Sequence, residues 1–223
     1  MPIQKSSLAK SDELFGLIET LLWIKGSGYR LLDEHIGRLT SSARTFGIPC
    51  DRSAVLEALK HVVIEPHRGR LRVRLVLDDA GGCTVSVKGI DEVRPDAIWR
   101  AVVATTRVES SDPMLRHKTT RRERYEGELA RAAQCRAADE VVFLNERDEV
   151  CEGARSNIFV ARNGMLLTPP LGCGLLPGTL RGSLLAQGSA REAILRLDDI
   201  AEGATWYMGN SVRGLIRTHM VRA

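Results

Sequence analysis

A chain of 223 residues can bury a full core, as one large domain or two small ones. Its make-up, 43% hydrophobic and 27% charged, is that of an ordinary soluble protein, and no run of eighteen apolar residues offers a membrane-spanning helix. The net charge of +4 comes from interleaved acids and bases, and only 4% of residues are aromatic, which argues against nucleic-acid binding. The five cysteines, Cys50, Cys83, Cys135, Cys151 and Cys173, are scattered and form no Cys-x-x-Cys pair. Neither a metal site nor a disulfide framework is indicated, and free thiols are expected. The N-terminal stretch MPIQKSSLAKSDELF has no apolar signal core, so a cytoplasmic location is expected.

In chain order, Phe15 to Ile24 reads as a strand, Gly26-Ser-Gly28 as a turn, and Tyr29 to Leu32 as a returning strand. Asp33 looks like the cap of a helix carrying Ile36, Leu39, Ala43 and Phe46 on one face, stopped by Gly47-Ile-Pro49. A second helix is expected over Asp51 to Val63, capped by Asp51 or Ser53. Leu71 to Leu77 alternates, Asp78 to Gly82 turns, and Thr84 to Val87 returns, making a hairpin. Strands, helices, then strands suggest a small α+β domain, with a boundary at Gly89 to Pro95. Beyond it the pattern predicts a strand at Trp99 to Thr105, a helix over Thr119 to Ala133 and a strand at Glu140 to Leu144. Next come a turn at Glu146 to Asp148 and a hairpin of Asn157 to Ala161 with Met165 to Thr168 about Asn163-Gly164. A helix over Gly178 to Gln187 follows. Strands at Glu192 to Leu197 and Thr205 to Met208 bracket a helical turn near Asp198 to Ala201.

Two residues carry the chemistry. Lys118, in His117-Lys-Thr-Thr-Arg-Arg122, is either an exposed lysine at a helix start or a reactive amine whose neutral form is favoured by Arg116, Arg121 and Arg122. Glu152, in Glu152-Gly-Ala-Arg-Ser-Asn157, is either a turn carboxylate or an acid placed against a ring nitrogen. A lysine amine forms Schiff bases with aldehydes, and a carboxylate keeps a pyridine nitrogen protonated. A pyridoxal phosphate (PLP) enzyme needs both. Asn157 pins backbone or is a plain turn residue. A phosphate needs backbone N–H donors and a cation. The helix start Leu176-Pro-Gly178-Thr179-Leu180 frees N–H groups, Gly209-Asn210-Ser211 is a second small turn, and Arg38 is either the cation or a surface arginine. The Walker pattern is absent.

These words in this order resemble the class IV aminotransferase family, the fold-type IV PLP enzymes, from Phe15 to Arg217. That group includes branched-chain aminotransferases, D-amino-acid transaminases and aminodeoxychorismate lyases. The resemblance implies a two-domain α+β fold: a small N-terminal α+β domain (1–92) and a larger, barrel-like PLP-binding domain (96–223). By position, Lys118 matches the Schiff-base lysine and proton shuttle, and Glu152 the carboxylate at the pyridine nitrogen. Arg38 matches the phosphate arginine, and Thr179 and Leu180, after Gly178, the helix-start donors. Asn210 and Ser211 match the later phosphate turn. Arg107, Arg122 and Arg155 are candidates for gripping the carboxylate of an amino-acid-like substrate. A homodimer is also implied.

The chain departs from many members in having Leu180 where they have threonine. Glu123 stands where branched-chain transaminases place a tyrosine, with Tyr125 two residues on. The short start and the His-Lys-Thr-Thr-Arg-Arg word look most like aminodeoxychorismate lyase domains. Amino-acid transaminases and an inactive binding module are the alternatives.

Overall fold

The structure, a computed structural model, describes residues 14–63 and 69–221. Most of the stretch MPIQKSSLAKSDELF lies outside the described residues. A small antiparallel sheet contains β1 (Leu17–Ile24), β2 (Gly28–Tyr29), β3 (Arg70–Leu77) and β4 (Cys83–Gly89), ordered β2-β1-β3-β4. Alternation explains its two faces. Leu71, Val73, Leu75 and Leu77 turn to the core, and Arg72 and Arg74 take the other side. Helices α1 (Leu32–Phe46) and α2 (Arg52–His61) close the core with Ile36, Leu39, Val55 and Leu59.

Two local expectations change here. The returning strand stops at Tyr29, because Leu31 adopts φ 55°, ψ 38° and turns the chain into α1. Leu31 is therefore the cap, and Asp33 sits in the first turn, where its charge faces the helix dipole. Asp51 does cap α2, accepting from the Ser53 and Ala54 N–H groups at 2.8 and 3.2 Å.

The larger sheet contains β5 (Ile98–Val103), β6 (Glu140–Leu144), β7 (Val150–Gly153), β8 (Asn157–Arg162), β9 (Met165–Thr168), β10 (Ala190–Glu192), β11 (Trp206–Asn210) and β12 (Gly214–Met220). Its order is β10-β9-β8-β11-β12-β5-β6-β7, and β7 pairs again with β8. The sheet thus curls until the strands from β8 to β7 close on themselves. The closing seam is one register pair, Glu152 with Asn157. Val142, Ile158, Trp206 and Met208 fill the inside of the curl. Outside it, Val141, Phe143 and Cys151 pack against Leu129 and Ala132 of α3 (Glu123–Arg136). The hairpin between β8 and β9 turns at Asn163 and Gly164, both at positive φ, 52° and 75°.

The expected helix over 119–133 begins only at Glu123, because residues 118–120 are held by β1. The Ile18 N–H donates to Lys118 O at 2.7 Å, and the Thr120 N–H to Gly16 O at 2.8 Å. A segment used as a strand edge cannot make helical hydrogen bonds. The strand expected over 192–197 is instead β10, paired in parallel with β9. A 3-10 turn, Leu197–Ile200, follows it. Among the described residues no helix is long and apolar enough to cross a membrane.

Candidate active site

A cavity of about 750 Å³ opens between the arginine face of the small sheet and the seam of the curled one. Lys118 and Glu152 both line it. β1 holds the Lys118 carbonyl, which fixes where that side chain starts. Burial comes first among the causes that pull its amine down to about 7, followed by the charges of Arg122 and Arg38, against the opposing pull of Glu19 and Glu152. Glu152 is buried, and burial pushes its carboxyl up to about 7. It accepts hydrogen bonds from Tyr125 Oη at 3.1 Å and from the Leu176 N–H at 3.1 Å. Tyr125 is held in turn, edge-on to Phe143 and beneath the Arg122 guanidinium. The site thus pairs an amine that is half neutral near pH 7 with an acid that is half protonated there.

The other end of the cavity suits an anion. Gly178 opens α4 (Thr179–Ala186), so the first N–H groups of that helix lack helical partners. Asn157 Nδ2 donates to Leu176 O at 3.0 Å and pins the approach, and a Cβ at position 178 would collide with Asn157 Oδ1. Leu180 packs near Gly209, so it presents no hydroxyl. Arg38 is fixed by Glu19, to which its Nε and Nη2 donate at 2.9 and 2.6 Å, and by Pro177 O at 3.1 Å. Burial would raise the Glu19 carboxyl, but Arg38 and His35 hold it at about 2. Asn210 shapes its turn by accepting from the Val212 and Arg213 N–H groups, and its Nδ2 donates to Arg155 O. Ser211 reaches His35, as does Thr179.

Every site residue expected from the sequence lines this cavity except Arg107. Arg107 lies outside, paired with Asp148 and donating to Asn145 O. Arg122 reaches the cavity and donates to Ala154 O, and the exposed Arg155 lines it too.

The structure adds residues that sequence reasoning missed. Arg72 and Arg74 face the cavity from β3, and their alternation with Leu71, Val73 and Leu75 carried that signal. Burial, then the charges of Arg122 and Arg72, lowers Arg74, so three guanidinium groups crowd one wall. Glu140 is buried and accepts from the Arg155 N–H at 2.8 Å, behind the turn between β7 and β8.

These groups set a pH dependence. Burial raises Glu140 and Glu152 from 4.5 to about 7. A carboxyl raised in the fold contributes stability that is present below about 4.5 and lost as pH climbs through about 7. Lys118, lowered from 10.5, contributes stability present above 10.5 and lost as pH falls through about 7. His117, lowered by burial and Arg116, opposes the carboxyl trend in part. The cofactor-free chain is therefore expected to be least stable near pH 7, by on the order of 3 kcal/mol per carboxyl relative to about pH 5. Urea unfolding at about pH 5, 7 and 9 checks this; a steady rise from pH 5 to 7 would contradict it.

Residues 16–220 match the amino-transferase class IV family. A Schizosaccharomyces pombe protein named "Putative aminodeoxychorismate lyase" is 29% identical over 187 residues, 82% of this chain and 80% of that one. The solved structure of a "Putative amino-acid aminotransferase" from Mesorhizobium loti is 40% identical, with a TM-score of 0.86, and the likeness covers 93% of this chain and all of that one. A "hypothetical aminotransferase" from Mycobacterium tuberculosis, solved with alpha-ketoglutarate and PMP, is 25% identical, with a TM-score of 0.78 over 99% of this chain and 86% of that one. The family match runs through both sheets and every cavity residue named above, and the chain is an enzyme of the class IV amino-transferase family.

Proposed function

We propose that the cavity holds pyridoxal 5'-phosphate and that the chain acts on an amino-acid-like substrate, as a 4-amino-4-deoxychorismate lyase that releases pyruvate and 4-aminobenzoate. The observation that carries the cofactor reading is the meeting of Lys118 and Glu152 in one cavity, each shifted to about 7. The residues present suit that group. Glu152 is a buried acid with no cation in a salt bridge to it among the described residues. The opposite end offers Arg38, two hydroxyls and a helix start with free N–H groups. When bound, the cofactor supplies an aldehyde that condenses with amines and a protonated ring that withdraws electrons from the bond being broken.

The chain's own residues do the rest. Lys118 Nζ, its neutral form favoured by burial, is the nucleophile and afterwards the base that moves the substrate's α-proton. Glu152 would hold a proton at the ring nitrogen, and Tyr125 and the Leu176 N–H fix its carboxyl in place. Arg38, the Thr179 and Leu180 N–H groups and the backbone N–H of Ser211 would hold the phosphate, and the turn of Asn210 supports them. Arg72, Arg74 and Arg122 orient the substrate's carboxylates. The family resemblance extends the reading to a cytoplasmic homodimer and to two domains divided near residues 89–95.

An amino-acid aminotransferase is the second reading, favoured by the Mesorhizobium loti likeness. The two part in one assay. Aminodeoxychorismate is supplied with pyruvate detection, beside a panel of amino donors with 2-oxoglutarate. Pyruvate release without amino transfer supports the lyase; the reverse supports the transaminase and overturns the lyase.

Arg38→Ala is expected to weaken cofactor affinity by about 1–3 kcal/mol through loss of a charge-assisted contact. Fluorescence titration with pyridoxal phosphate measures this, and an unchanged affinity would clear Arg38 of the role.

A further inference from the structure

Glu19 and His35 are only 2% and 1% exposed, and His35 touches both turns of the anion-binding end. His35 Nδ1 lies 2.5 Å from Glu19 Oε2. Its Nε2 lies 3.0 Å from Ser211 Oγ and 3.2 Å from Thr179 Oγ1. One hydroxyl comes from the turn between β11 and β12, the other from the start of α4, and both residues line the cavity. Glu19 also fixes Arg38, so one carboxylate orients the imidazole and the cation together.

Counting hydrogens shows what the imidazole can do. Glu19 is an anion, so the ring nitrogen facing it must carry a hydrogen. In the neutral ring, Nε2 is then a bare acceptor. With the Ser211 hydrogen going to Thr20 O, the Thr179 hydrogen is the one Nε2 takes, and neither hydroxyl has a hydrogen left for an anion in the cavity. In the doubly protonated ring, Nε2–H donates to the hydroxyl oxygens instead. The Ser211 hydrogen still goes to Thr20 O, 3.3 Å away, and the Thr179 hydrogen is free for the cavity. The charges agree. Glu19 and Arg38 cancel, so the cluster is neutral with a neutral ring and carries one positive charge with a protonated one. A dianion selects the second state.

We propose that His35, oriented by Glu19, is a positioning residue of the anion site, and that binding of a phosphate or sulfate dianion there takes up one proton at His35 Nε2. The proposal rests on the cofactor reading only in taking the cofactor's phosphate as the natural anion. The charged groups facing His35 are Glu19 from β1 and Arg38 from α1; α4 and the β11–β12 turn present hydroxyls. Lys118 stands near Glu19 and Arg38 and itself loses a proton near pH 7.

The test therefore uses the full chain carrying Lys118→Ala and Glu152→Gln, because both groups line the cavity and change charge near pH 7, with and without His35→Gln, and sulfate as the probe, because sulfate does not titrate in this range. Calorimetry at about pH 6 and 8.5 should show sulfate binding about tenfold tighter at the lower pH, with a net proton uptake read from buffers of different ionisation heat. With His35→Gln both signals should vanish. Sulfate affinity that is flat with pH, or a pH dependence that survives His35→Gln, overturns the proposal. Should His35→Gln fail to fold, the ring signals of His35 in a sulfate titration of the native chain decide: a shift to the protonated form supports the linkage, and unchanged signals at saturation refute it. Absence of a visible band when the native chain meets pyridoxal phosphate would instead sink the cofactor reading and leave the proton linkage standing.

Discussion

Lys118→Ala is expected to give a folded chain that cannot take up the aldehyde covalently. Among the described residues no other amine stands in for it, since Lys118 is the lysine that lines the cavity. Borohydride treatment followed by peptide mass analysis should find a reduced cofactor adduct on Lys118 in the native protein and none in the variant. Turnover should fall by at least about 100- to 10,000-fold, the usual contribution of a positioned base. The fold should not suffer. Burial and two guanidinium charges already depress this amine, so the native state works against its charged form at neutral pH. Removing it is expected to leave the midpoint of thermal unfolding near pH 7 unchanged or higher. An adduct that persists in the variant would refute the role; an unfolded variant would refute the electrostatic account of the site.

The contrast between element and partner explains how much of this was legible in the sequence. The span Glu140–Leu144 was legible to the residue, because four consecutive apolar positions, Val141 to Leu144, carry their own signal. β7 was not, since Val-Cys-Glu-Gly is short and lacks alternation, and it exists because two neighbouring strands pair with it. β12 owes its place to β11 on one side and to a parallel pairing with β5, far away in sequence, on the other. The site behaves in the same way. Lys118, Glu152, Arg38 and the two small turns stand in short words that survive in the linear chain. The clamp of Glu19 and His35 joins four separate elements, and nothing local announces it. Arg107 does not line the cavity: it follows β5 on a loop where it pairs with Asp148 and donates to Asn145 O.

Glu152→Ala should keep the cofactor and lose most of the chemistry. Phosphate contacts stay in place and loss of the Glu152 charge only favours the neutral Lys118 amine further, so uptake of pyridoxal phosphate is expected to stay within a few-fold of native. Removal of the substrate's α-hydrogen, followed by NMR as exchange with deuterated solvent, should slow by about 100-fold or more, because no acid then holds a proton at the ring. Glu152→Gln separates charge from shape. Glutamine still accepts a hydrogen bond through its carbonyl, so the contacts from Tyr125 and the Leu176 N–H can be kept in part. It holds no titratable proton. If electron withdrawal depends on the acid, Gln should be nearly as slow as Ala while binding the cofactor as well as native. If Gln restores native exchange, Glu152 acts by holding the backbone of the 176–178 turn and not by its proton. The same variant reports on stability. Above about pH 7 the buried carboxylate must be charged, with Lys118 and Arg122 offsetting only part of the cost of burial, and an amide need not be. Cofactor-free Glu152→Gln is therefore expected to be more stable than native at about pH 8 and equal to it at about pH 5. Urea midpoints that move in the opposite sense would mean that the carboxyl is not held in its neutral form by burial.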